Sequence, residues 1–506
     1  MQDNTKKRIC PFLMALCVAL GVISLVAFIP QVRESIIDFG EGCVGRPLQR
    51  QVWHERLIDY GAALLALSFA GYFCLKASLF CIESNTSLYG LFKTMPLEEI
   101  FHYFSLMAFI IILCAIHFCL APFKDDVNYF NHALDGVSYF EFLNLRYNNW
   151  SSRFLIETAL VNCFKFNFGL WRLIDVAAFV LISECFVKLC IPKKQFSFVV
   201  YAVILFFTDY SSLQSAGWAA TTANYLWPLA CCMPYFVIVK KIFEGQRLSA
   251  KSIVFSIVLL MFAVNQEQVA ALVFGLSLSF FAIYFIRTKN NRIYALYFIA
   301  AFALSLASVI FILTCPGDSI RFAQEVKVWF PEYTTLSFFD KLQIGSLAVF
   351  TYYFSSKSNL VAALLCAVLT MVFYKKNRIN FFIQILLDFF VFACSVLKYK
   401  SSFLLSNDRL AQLSEHSTIA VFAEFVLLFF IGIAFLYQLF FAFGGKEAGA
   451  FNLYLLFAFF CSAIIIAFSP TVYASGSRCY LFLSYFVFYL TVKLIFQSYE
   501  RGRKHE

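Results

Sequence analysis

The chain has 506 residues, of which 61% are hydrophobic and only 14% are charged, and its formal net charge is +10. Soluble domains average about 25% charged and 45–50% apolar residues, so this composition excludes an ordinary soluble protein. Because lipid offers no partner to backbone polar groups, a spanning chain satisfies them internally, which favours helices. We therefore expect an all-α polytopic membrane protein without a separate soluble domain.

Short clusters of lysine and arginine separate the apolar segments, as at Lys193-Lys194 and Lys240-Lys241. By the positive-inside rule such clusters mark the cytoplasmic side of a membrane, so the positive charge does not indicate a nucleic-acid partner. The alternation predicts a bundle of about 11 to 14 transmembrane helices. We expect one membrane domain over residues 1–506, with N-terminal spans in 1–101, a core in 102–500 and a basic cytoplasmic tail in 501–506.

The predicted helices begin with apolar runs at 9–29 and 61–81, which an arginine-rich loop separates. Residues 153–168 are too short and polar to span, so we interpret them as an amphipathic interfacial helix, with Phe154 on the apolar face and Glu157 on the polar face. The remaining spans are predicted at 102–120, 170–191, 196–208, 224–238, 253–264, 269–285, 294–313, 360–374, 379–396, 419–443, 453–468 and 480–496.

Cysteine and histidine give no sign of a metal site. The 17 cysteines include no CxxC pair and mostly fall within apolar runs, so we interpret them as small buried hydrophobes. A disulfide among Cys43, Cys315 and Cys479, which lie in predicted external loops, is the alternative. The six histidines show no metal-ligand spacing. We expect no cofactor and no metal.

The longest polar stretch, 121–158, follows the span at 102–120 and opens with the adjacent carboxylates Asp125 and Asp126. Two carboxylates at a membrane boundary suit a general base with a supporting partner, or a divalent-metal site. The alternative is that one of them caps the next helix by accepting backbone N–H bonds. The stretch is the candidate active site, and Asp125 and Asp126 are the candidate catalytic residues.

Aromatic and arginine side chains crowd this stretch, the loop 209–227 and the polar turn 265–268. Aromatic rings suit stacking on sugars, and arginine suits hydrogen bonding to oxygen-rich ligands. An aromatic and arginine belt at the membrane interface is the alternative, and for the two later segments so is a plain external turn. The candidate sugar- or acceptor-binding residues are Tyr129, Arg146, Tyr147, Trp150, Trp218, Asn224, Tyr225, Trp227 and Glu267.

Further arginines follow other apolar runs on the same predicted external face. The segment CPGDSIR at 315–321 predicts a turn and then a short helix that Asp318 or Ser319 caps. The N-terminus of a helix with an arginine one turn later can hold an anion. The candidate phosphate-binding residues are Arg153, Arg321, Arg409 and Arg478. Pairing with lipid phosphate is the alternative for some of them.

Six motifs occur in the order DDxxY, RYNNWSSR, ANYLWP, NxEQ, CPGDSIR and SPT…SR, between residues 125 and 478. In that order they resemble the serotype-converting O-antigen glucosyltransferases of bacteria and phages, the Gtr proteins, and related multispanning families of the GT-C glycosyltransferase superfamily. The resemblance implies a GT-C-like helix bundle with interfacial helices in its external loops. It also implies a bacterial inner-membrane protein whose active site faces the periplasm.

The resemblance implies a hexosyltransferase that moves a sugar, typically glucose, from a polyprenyl-phosphate donor to a lipid-linked O-antigen. By analogy Asp125 is the general base and Asp126 its partner, and arginines stabilise the departing phosphate. Attack opposite the phosphate inverts the anomeric carbon, and we expect metal-independent chemistry. The implied partners are the donor, the lipid-linked glycan acceptor and membrane lipids. Function would also depend on a flippase and a polyprenyl-phosphate sugar synthase.

Two other classes of protein fit parts of the pattern. An O-antigen polymerase or ligase also uses external arginines on a multispanning scaffold, but it joins whole repeat units. A lipid-linked oligosaccharide flippase or other transporter is the non-enzymatic alternative. Transporters place ionisable residues inside their spans and show repeated halves, whereas most charges here lie in loops and no internal repeat is visible.

Overall fold

The computed structural model describes residue 38 and the ranges 97–166, 168–287, 292–355, 360–374, 377–396 and 419–503. These residues form helices, short turns and one isolated bridge between Ser215 and Gly217, without a β-strand. The prediction of an all-α polytopic protein is confirmed. The helices predicted at 9–29 and 61–81, the loop between them, Cys43 and Arg409 lie outside the described residues.

The α-helices of the described residues follow the predicted apolar runs closely. In chain order they are α1 (Leu97–Cys119), α2 (Asp125–Asn128), α3 (Tyr139–Asn149), α4 (Phe154–Phe166), α5 (Phe168–Cys190), α6 (Ser197–Phe207), α7 (Tyr210–Leu213), α8 (Trp218–Phe243), α9 (Ala250–Ala263), α10 (Glu267–Arg287), α11 (Arg292–Leu313), α12 (Pro316–Trp329), α13 (Phe338–Ser355), α14 (Leu360–Phe373), α15 (Arg378–Val396), α16 (Ile419–Ala442), α17 (Lys446–Ile464) and α18 (Leu481–Arg503). Short 3₁₀ turns, among them Ile465–Phe468 and Gly476–Tyr480, join some of them.

Within these ranges, six helical segments are long and apolar enough to cross a membrane. They are Leu97–Cys119, Trp218–Phe243, Glu267–Ile286, Arg292–Leu313, Lys446–Phe468 and Gly476–Glu500. Four shorter apolar helices are Lys194–Phe207, Ala250–Ala263, Leu360–Phe373 and Phe429–Ala442. The chain is therefore a membrane protein, and the total of 11 to 14 spans stays a prediction.

Contacts divide the chain into two compact units. The described part of the first consists of α1, Arg172–Ser183 of α5 and the segment Ile191–Thr208 that contains α6. In it the Nε2 atom of His117 lies 2.8 Å from the Oδ2 atom of Asp175, and both side chains are buried. The pair satisfies two polar groups that would be costly to leave alone among apolar helices.

The second unit contains the other described helices and is centred on α8, which is buried along most of its length. Alanines at positions 219, 220 and 223 of α8 are buried, as is typical where helices approach closely. The indole of Trp171 donates to the Oγ1 atom of Thr222 at 2.8 Å. In the same unit the rings of Phe459 and Phe486 stack at 4.4 Å, joining α17 to α18.

The structure corrects two predictions about helices. Between the predicted spans at 294–313 and 360–374 we expected a loop with one short helix after the turn at 315–317, but α12 and also α13 lie there, and the first turn of α13 carries Asp340. Helix α4 was expected to turn Phe154 toward apolar surroundings and Glu157 toward water. The prediction for Glu157 is wrong, since it is only 4% exposed, whereas Phe154 lies at the surface with 42% exposed. Glu157 is buried because it pairs with an arginine from α3.

Candidate functional site

A cavity of about 740 Å³ lies in the second unit. Its walls come from the segment 125–157, the start of α8, the polar turn before α10, the end of α11, α12 and the segment 465–479. The predicted site residues that line it are Asp125, Arg146, Trp150, Arg153, Asn224, Tyr225, Glu267, Arg321 and Arg478. Most of the motifs noted in the sequence therefore meet at one place.

The two adjacent aspartates occupy different environments. Asp125 is exposed and lines the cavity. Asp126 is buried, and its carboxylate accepts backbone N–H bonds from Ala219 at 3.2 Å and Ala220 at 2.9 Å. It therefore caps the N-terminus of α8 rather than that of the next helix along the chain. Burial raises the pKa of the Asp126 carboxyl, and the backbone N–H donors oppose that rise.

Glycine at position 217 makes this cap possible. Gly217 has φ +121°, a conformation that L side chains rarely adopt. A Cβ atom there would lie 2.7 Å from the carboxylate of Asp126 and 2.6 Å from the carbonyl oxygen of Phe123. The glycine thus lets the start of α8 approach the aspartate segment, which positions Asp125 at the edge of the cavity.

Arg153 belongs to a closed network of charged and polar groups. Its Nε atom donates to both carboxylate oxygens of Glu267, at 2.8 and 3.0 Å, and Nη1 donates to the Oδ1 atom of Asn224 at 2.7 Å. Burial alone would lower the pKa of Arg153, but the Glu267 carboxylate outweighs it and holds that pKa above its usual value. Glu267 therefore neutralises the charge that was predicted to bind a phosphate.

Arg146 is held in a similar way. Its Nη2 atom donates to the Oε1 atom of Glu157 at 2.6 Å, and Nη1 donates to the hydroxyl of Tyr129 at 3.2 Å. The guanidinium also lies over the rings of Tyr129 and Trp150, at 5.1 and 5.6 Å from their centroids. Tyr129 thus helps to orient Arg146 and does not itself line the cavity.

Arg321 and the start of α12 close another side. The Nε atom of Arg321 donates to the Oε1 atom of Glu325 at 2.7 Å, and its guanidinium lies 5.4 Å from the centroid of Trp150. A Cβ atom on Gly317 would come within 2.4 Å of the backbone nitrogen of Trp150 and 2.6 Å of the carbonyl oxygen of Tyr147. Only glycine allows α12 to approach the end of α3 so closely.

Arg478 differs from the other three arginines. No carboxylate in the described part of the chain lies within ion-pair distance of it, and its hydrogen bond from Nη1 to the Oγ atom of Ser215 is long, at 3.4 Å. Its guanidinium lies 6.0 Å from the ring centroid of Tyr225. The hydroxyl-bearing residues Ser469, Thr471 and Ser475 line the cavity beside it in sequence. This corner combines positive charge with hydroxyl donors.

The polar turn before α10 joins the walls together. The side-chain oxygen of Asn265 accepts from the backbone nitrogens of Leu155 and Ile156, at 2.9 and 3.2 Å, and so caps α4. The amide of Gln268 donates to the carbonyl oxygens of Ser462 and Cys479, at 2.9 and 3.0 Å. The turn therefore holds α4, the end of α17 and the segment at Cys479 together, and it also places Glu267 in the cavity wall.

One wall of the cavity is apolar and reaches the outside of the helix bundle. Several of its side chains are strongly exposed, with Leu313 at 79%, Trp329 at 50% and Phe468 at 42%. The apolar lining residues are Val309, Ile312, Leu313, Phe322, Trp329, Ile465, Ile466 and Phe468. An exposed apolar wall beside buried charges suits an amphiphilic ligand, whose head and tail need different surroundings.

Five predicted residues do not line the cavity. Asp126 caps α8, Tyr129 supports Arg146, and Tyr147 stacks on Phe311 at 5.1 Å. Trp218 begins α8 and Trp227 is buried within it, and neither lines the cavity. Lining residues that were not predicted include Glu157, Gln266, Gln268, Asp318, Glu325 and Trp329. The one sequence signal for Glu157 is that a carboxylate occurs in a largely apolar helix, and this signal does not indicate its partner.

Thiols and metal ligands give no further site among the residues that the structure describes. Cys315 and Cys479 are both free, and the thiol of Cys315 donates to the carbonyl oxygen of Tyr147 at 3.2 Å. The same ranges contain no group of three or more His, Cys, Asp or Glu side chains suited to a metal ion.

No family model, curated protein or solved structure matches the chain. The resemblance to Gtr transferases therefore stays a prediction from the motifs.

Proposed function

We propose that the protein is a membrane glycosyltransferase that moves a sugar from a polyprenyl-phosphate donor to a lipid-linked O-antigen or other cell-surface glycan. One observation carries the proposal. The exposed carboxylate of Asp125, an arginine without a carboxylate partner in the described residues, Arg478, and an apolar wall all line the same cavity. Each of the three suits one part of such a reaction.

Asp125 is proposed as the general base. The acceptor hydroxyl gives its proton to the Asp125 carboxylate while its oxygen bonds to the anomeric carbon of the donor. The bond from that carbon to the phosphate oxygen breaks, and its electron pair leaves with the polyprenyl phosphate. Attack opposite the leaving group inverts the anomeric centre. The accessibility of Asp125, in contrast to buried Asp126, supports this assignment.

Arg478 is proposed to stabilise the leaving phosphate. Negative charge grows on the phosphate oxygens as the glycosidic bond breaks, and a fixed positive donor lowers the energy of that state. An arginine that is already paired with a carboxylate gives up part of this effect. Arg146, Arg153 and Arg321 are paired in that way, so Arg478 fits the role better than the others.

The apolar wall is proposed to hold the isoprenoid tail near the phosphate. Burying apolar surface contributes about 25 cal/mol per Å², so a long tail adds affinity without any polar contact. The polar corner at Arg478 and the apolar residues Ile465, Ile466 and Phe468 belong to one continuous stretch of lining. A head and tail that are covalently joined match this arrangement.

The proposed location is the bacterial inner membrane, with the cavity open to the periplasm. Glucose is the expected sugar, as the Gtr resemblance implies. The donor would then be made by a polyprenyl-phosphate sugar synthase and carried across the membrane by a flippase. No residue role in this scheme requires a metal.

The test uses cells that express the full chain. Asp125→Asn removes the base and changes the side chain little, so we expect loss of the sugar modification of the surface glycan, measured by mass spectrometry, at unchanged membrane abundance. Asp135→Asn is the matched control, since Asp135 is an exposed aspartate of the same segment that does not line the cavity. Full modification in Asp125→Asn contradicts the base assignment.

The pattern of the product separates the alternatives. A single-sugar transferase changes the composition of each repeat unit and leaves the chain length of the glycan intact. A polymerase or ligase changes chain length or attachment, and a transporter changes neither composition nor linkage once substrate is supplied on the periplasmic side. Loss of chain length in the Asp125→Asn cells would favour the polymerase.

A further inference from the structure

Glu157 and Arg146 each keep one polar atom unsatisfied inside the cavity wall. Glu157 uses Oε1 to accept from Arg146, whereas its Oε2 atom is buried and has no hydrogen-bond partner in the described residues. The Nε atom of Arg146 is buried and likewise lacks an acceptor there. Glu157 is 4% exposed and lines the cavity together with Arg146.

A buried polar atom without a partner costs about 1–3 kcal/mol, and more for a charged group, so such atoms call for an explanation. Neither atom has accessible surface in this conformation, and the cavity that the two side chains line is the adjoining open space from which a partner can arrive once they turn. The terminal torsion of a glutamate is broad and roughly two-fold, so Oε2 turns toward the cavity at little cost.

The two atoms differ in the partner they require. The Oε2 atom of Glu157 accepts hydrogen bonds only, and the Nε atom of Arg146 donates only. A phosphate would suit Arg146 and be repelled by Glu157, while a cation would have the reverse difficulty. A hydroxyl both donates and accepts, so hydroxyl groups suit both atoms, unlike an anion or a cation.

We infer that Glu157 and Arg146 form a subsite that recognises hydroxyl groups of a sugar ring. This rests on the proposed function and deepens it. It assigns the sugar to the Glu157–Arg146 pair, whereas the phosphate is assigned to Arg478. Glu157 is a specificity-determining residue here and takes no proton from the acceptor. The ring belongs either to the donor or to the acceptor glycan, and the two sources are distinguished by separate binding measurements.

The experiment measures binding to the purified full-length chain in nanodiscs, without turnover. The ligands are polyprenyl phosphate, polyprenyl-phosphate glucose and a lipid-linked glycan acceptor. For Glu157→Gln we expect the dissociation constant of one sugar-bearing ligand to rise at least tenfold, in keeping with hydrogen bonds to a charged group. The affinity for polyprenyl phosphate should stay unchanged, which a general loss of folding would not allow.

Two further variants keep the result interpretable. Glu99→Gln removes an exposed carboxylate paired with Lys194 outside the cavity and should change no affinity. Arg146→Met with Glu157→Leu removes both charges together, so no unpaired charge remains in the wall. This double variant should show the same selective loss of affinity for the sugar-bearing ligand as Glu157→Gln. If Glu157→Gln does not accumulate in the membrane, the double variant provides the test.

A rise confined to polyprenyl-phosphate glucose assigns the subsite to the donor sugar, and a rise confined to the glycan assigns it to the acceptor. If each of the three ligands binds Glu157→Gln with the same affinity as wild type, the inference is overturned. Wild-type protein that binds the sugar ligands through Glu157 but transfers nothing would contradict the proposed function alone. Wild-type protein that binds none of the three ligands contradicts both.

Discussion

The arginines of the cavity are held in two different ways. What we call the paired side consists of Arg146, Arg153 and Arg321, each of which faces a carboxylate of its own at 2.6 to 2.7 Å. What we call the open side is Arg478, which has no carboxylate at ion-pair distance in the described residues, donates to Ser215 at 3.4 Å and lies 6.0 Å from the ring centroid of Tyr225. Positive charge alone therefore does not identify a phosphate-binding arginine, and the nearest acidic partner is what separates the two kinds.

The paired side is expected to matter for stability. Removing one member of a buried ion pair leaves the other charge uncompensated, which costs about 3–5 kcal/mol, whereas removing both is often neutral. The open side is expected to matter for transfer, since a donor that is free to meet a developing charge acts in the transition state. Four predictions follow, with the largest expected effect first, and the first two of them test this division.

Arg153→Met should destabilise the protein by about 3 kcal/mol, because it leaves the carboxylate of Glu267 without its bidentate partner. The estimate takes the lower end of the range because the two side chains are 16% and 26% exposed. Thermal unfolding in detergent measures the loss. Combining Arg153→Met with Glu267→Leu should restore most of the stability. If Arg153→Met alone is as stable as wild type, the stabilising role of the paired arginines is contradicted.

Arg478→Met should lower the rate of sugar transfer by about a hundredfold, the size found when one stabilising donor is removed from an active site. Its melting temperature should stay near that of wild type, since no carboxylate loses a partner. Arg478→Lys should recover part of the rate. Transfer at the wild-type rate in Arg478→Met would show that the open side does not hold the phosphate.

Gly317→Ala should destabilise the start of α12 by about 1–3 kcal/mol, because its Cβ atom would meet backbone atoms of Trp150 and Tyr147 that cannot move aside. Gly275→Ala is the matched control, since a Cβ atom there has no neighbour within 4 Å and lies in α10. Melting temperatures of the two variants give the result. Equal values would mean that α12 does not need its close approach.

Asp126→Ala should cost about 1 kcal/mol of stability, the usual value for a lost helix cap, and should leave measurable transfer. Asp126→Asn retains an oxygen that can accept one of the two bonds, so its loss should be smaller. The same pair of changes at Asp125 should affect transfer rather than melting. A collapse of transfer in Asp126→Asn at normal stability would reverse the roles of the two aspartates.

The sequence was most informative about helices. Apolar runs between lysine and arginine clusters gave the bounds of α9, α11 and α14 to within a few residues, because lipid-facing helices need long apolar segments. Helix α13 escaped prediction since Asp340 and Lys341 interrupt its first turn. The burial of Glu157 on α4 was not predicted because a charged residue normally points outward, and the neighbouring sequence does not indicate its partner Arg146.

The sequence predicted many of the residues that form the candidate site, but not the hydrogen bonds between them. The motifs contain Arg153, Asn224 and Glu267, but these are separated by up to 114 positions, so their hydrogen bonds depend on the packing of α4, α8 and α10. The contrast between Asp125 and Asp126 likewise depends on how the start of α8 meets the aspartate segment. Adjacent residues with equal chemistry acquire different roles only through the fold.

The most direct test of the central claim uses the purified full chain in nanodiscs with radiolabelled polyprenyl-phosphate glucose and a lipid-linked glycan acceptor. Wild type should move label to the acceptor and release polyprenyl phosphate in equal amounts. Asp125→Asn should bind the donor with wild-type affinity and move no measurable label. Label transfer by Asp125→Asn at the wild-type rate, or none by wild type, would contradict the account.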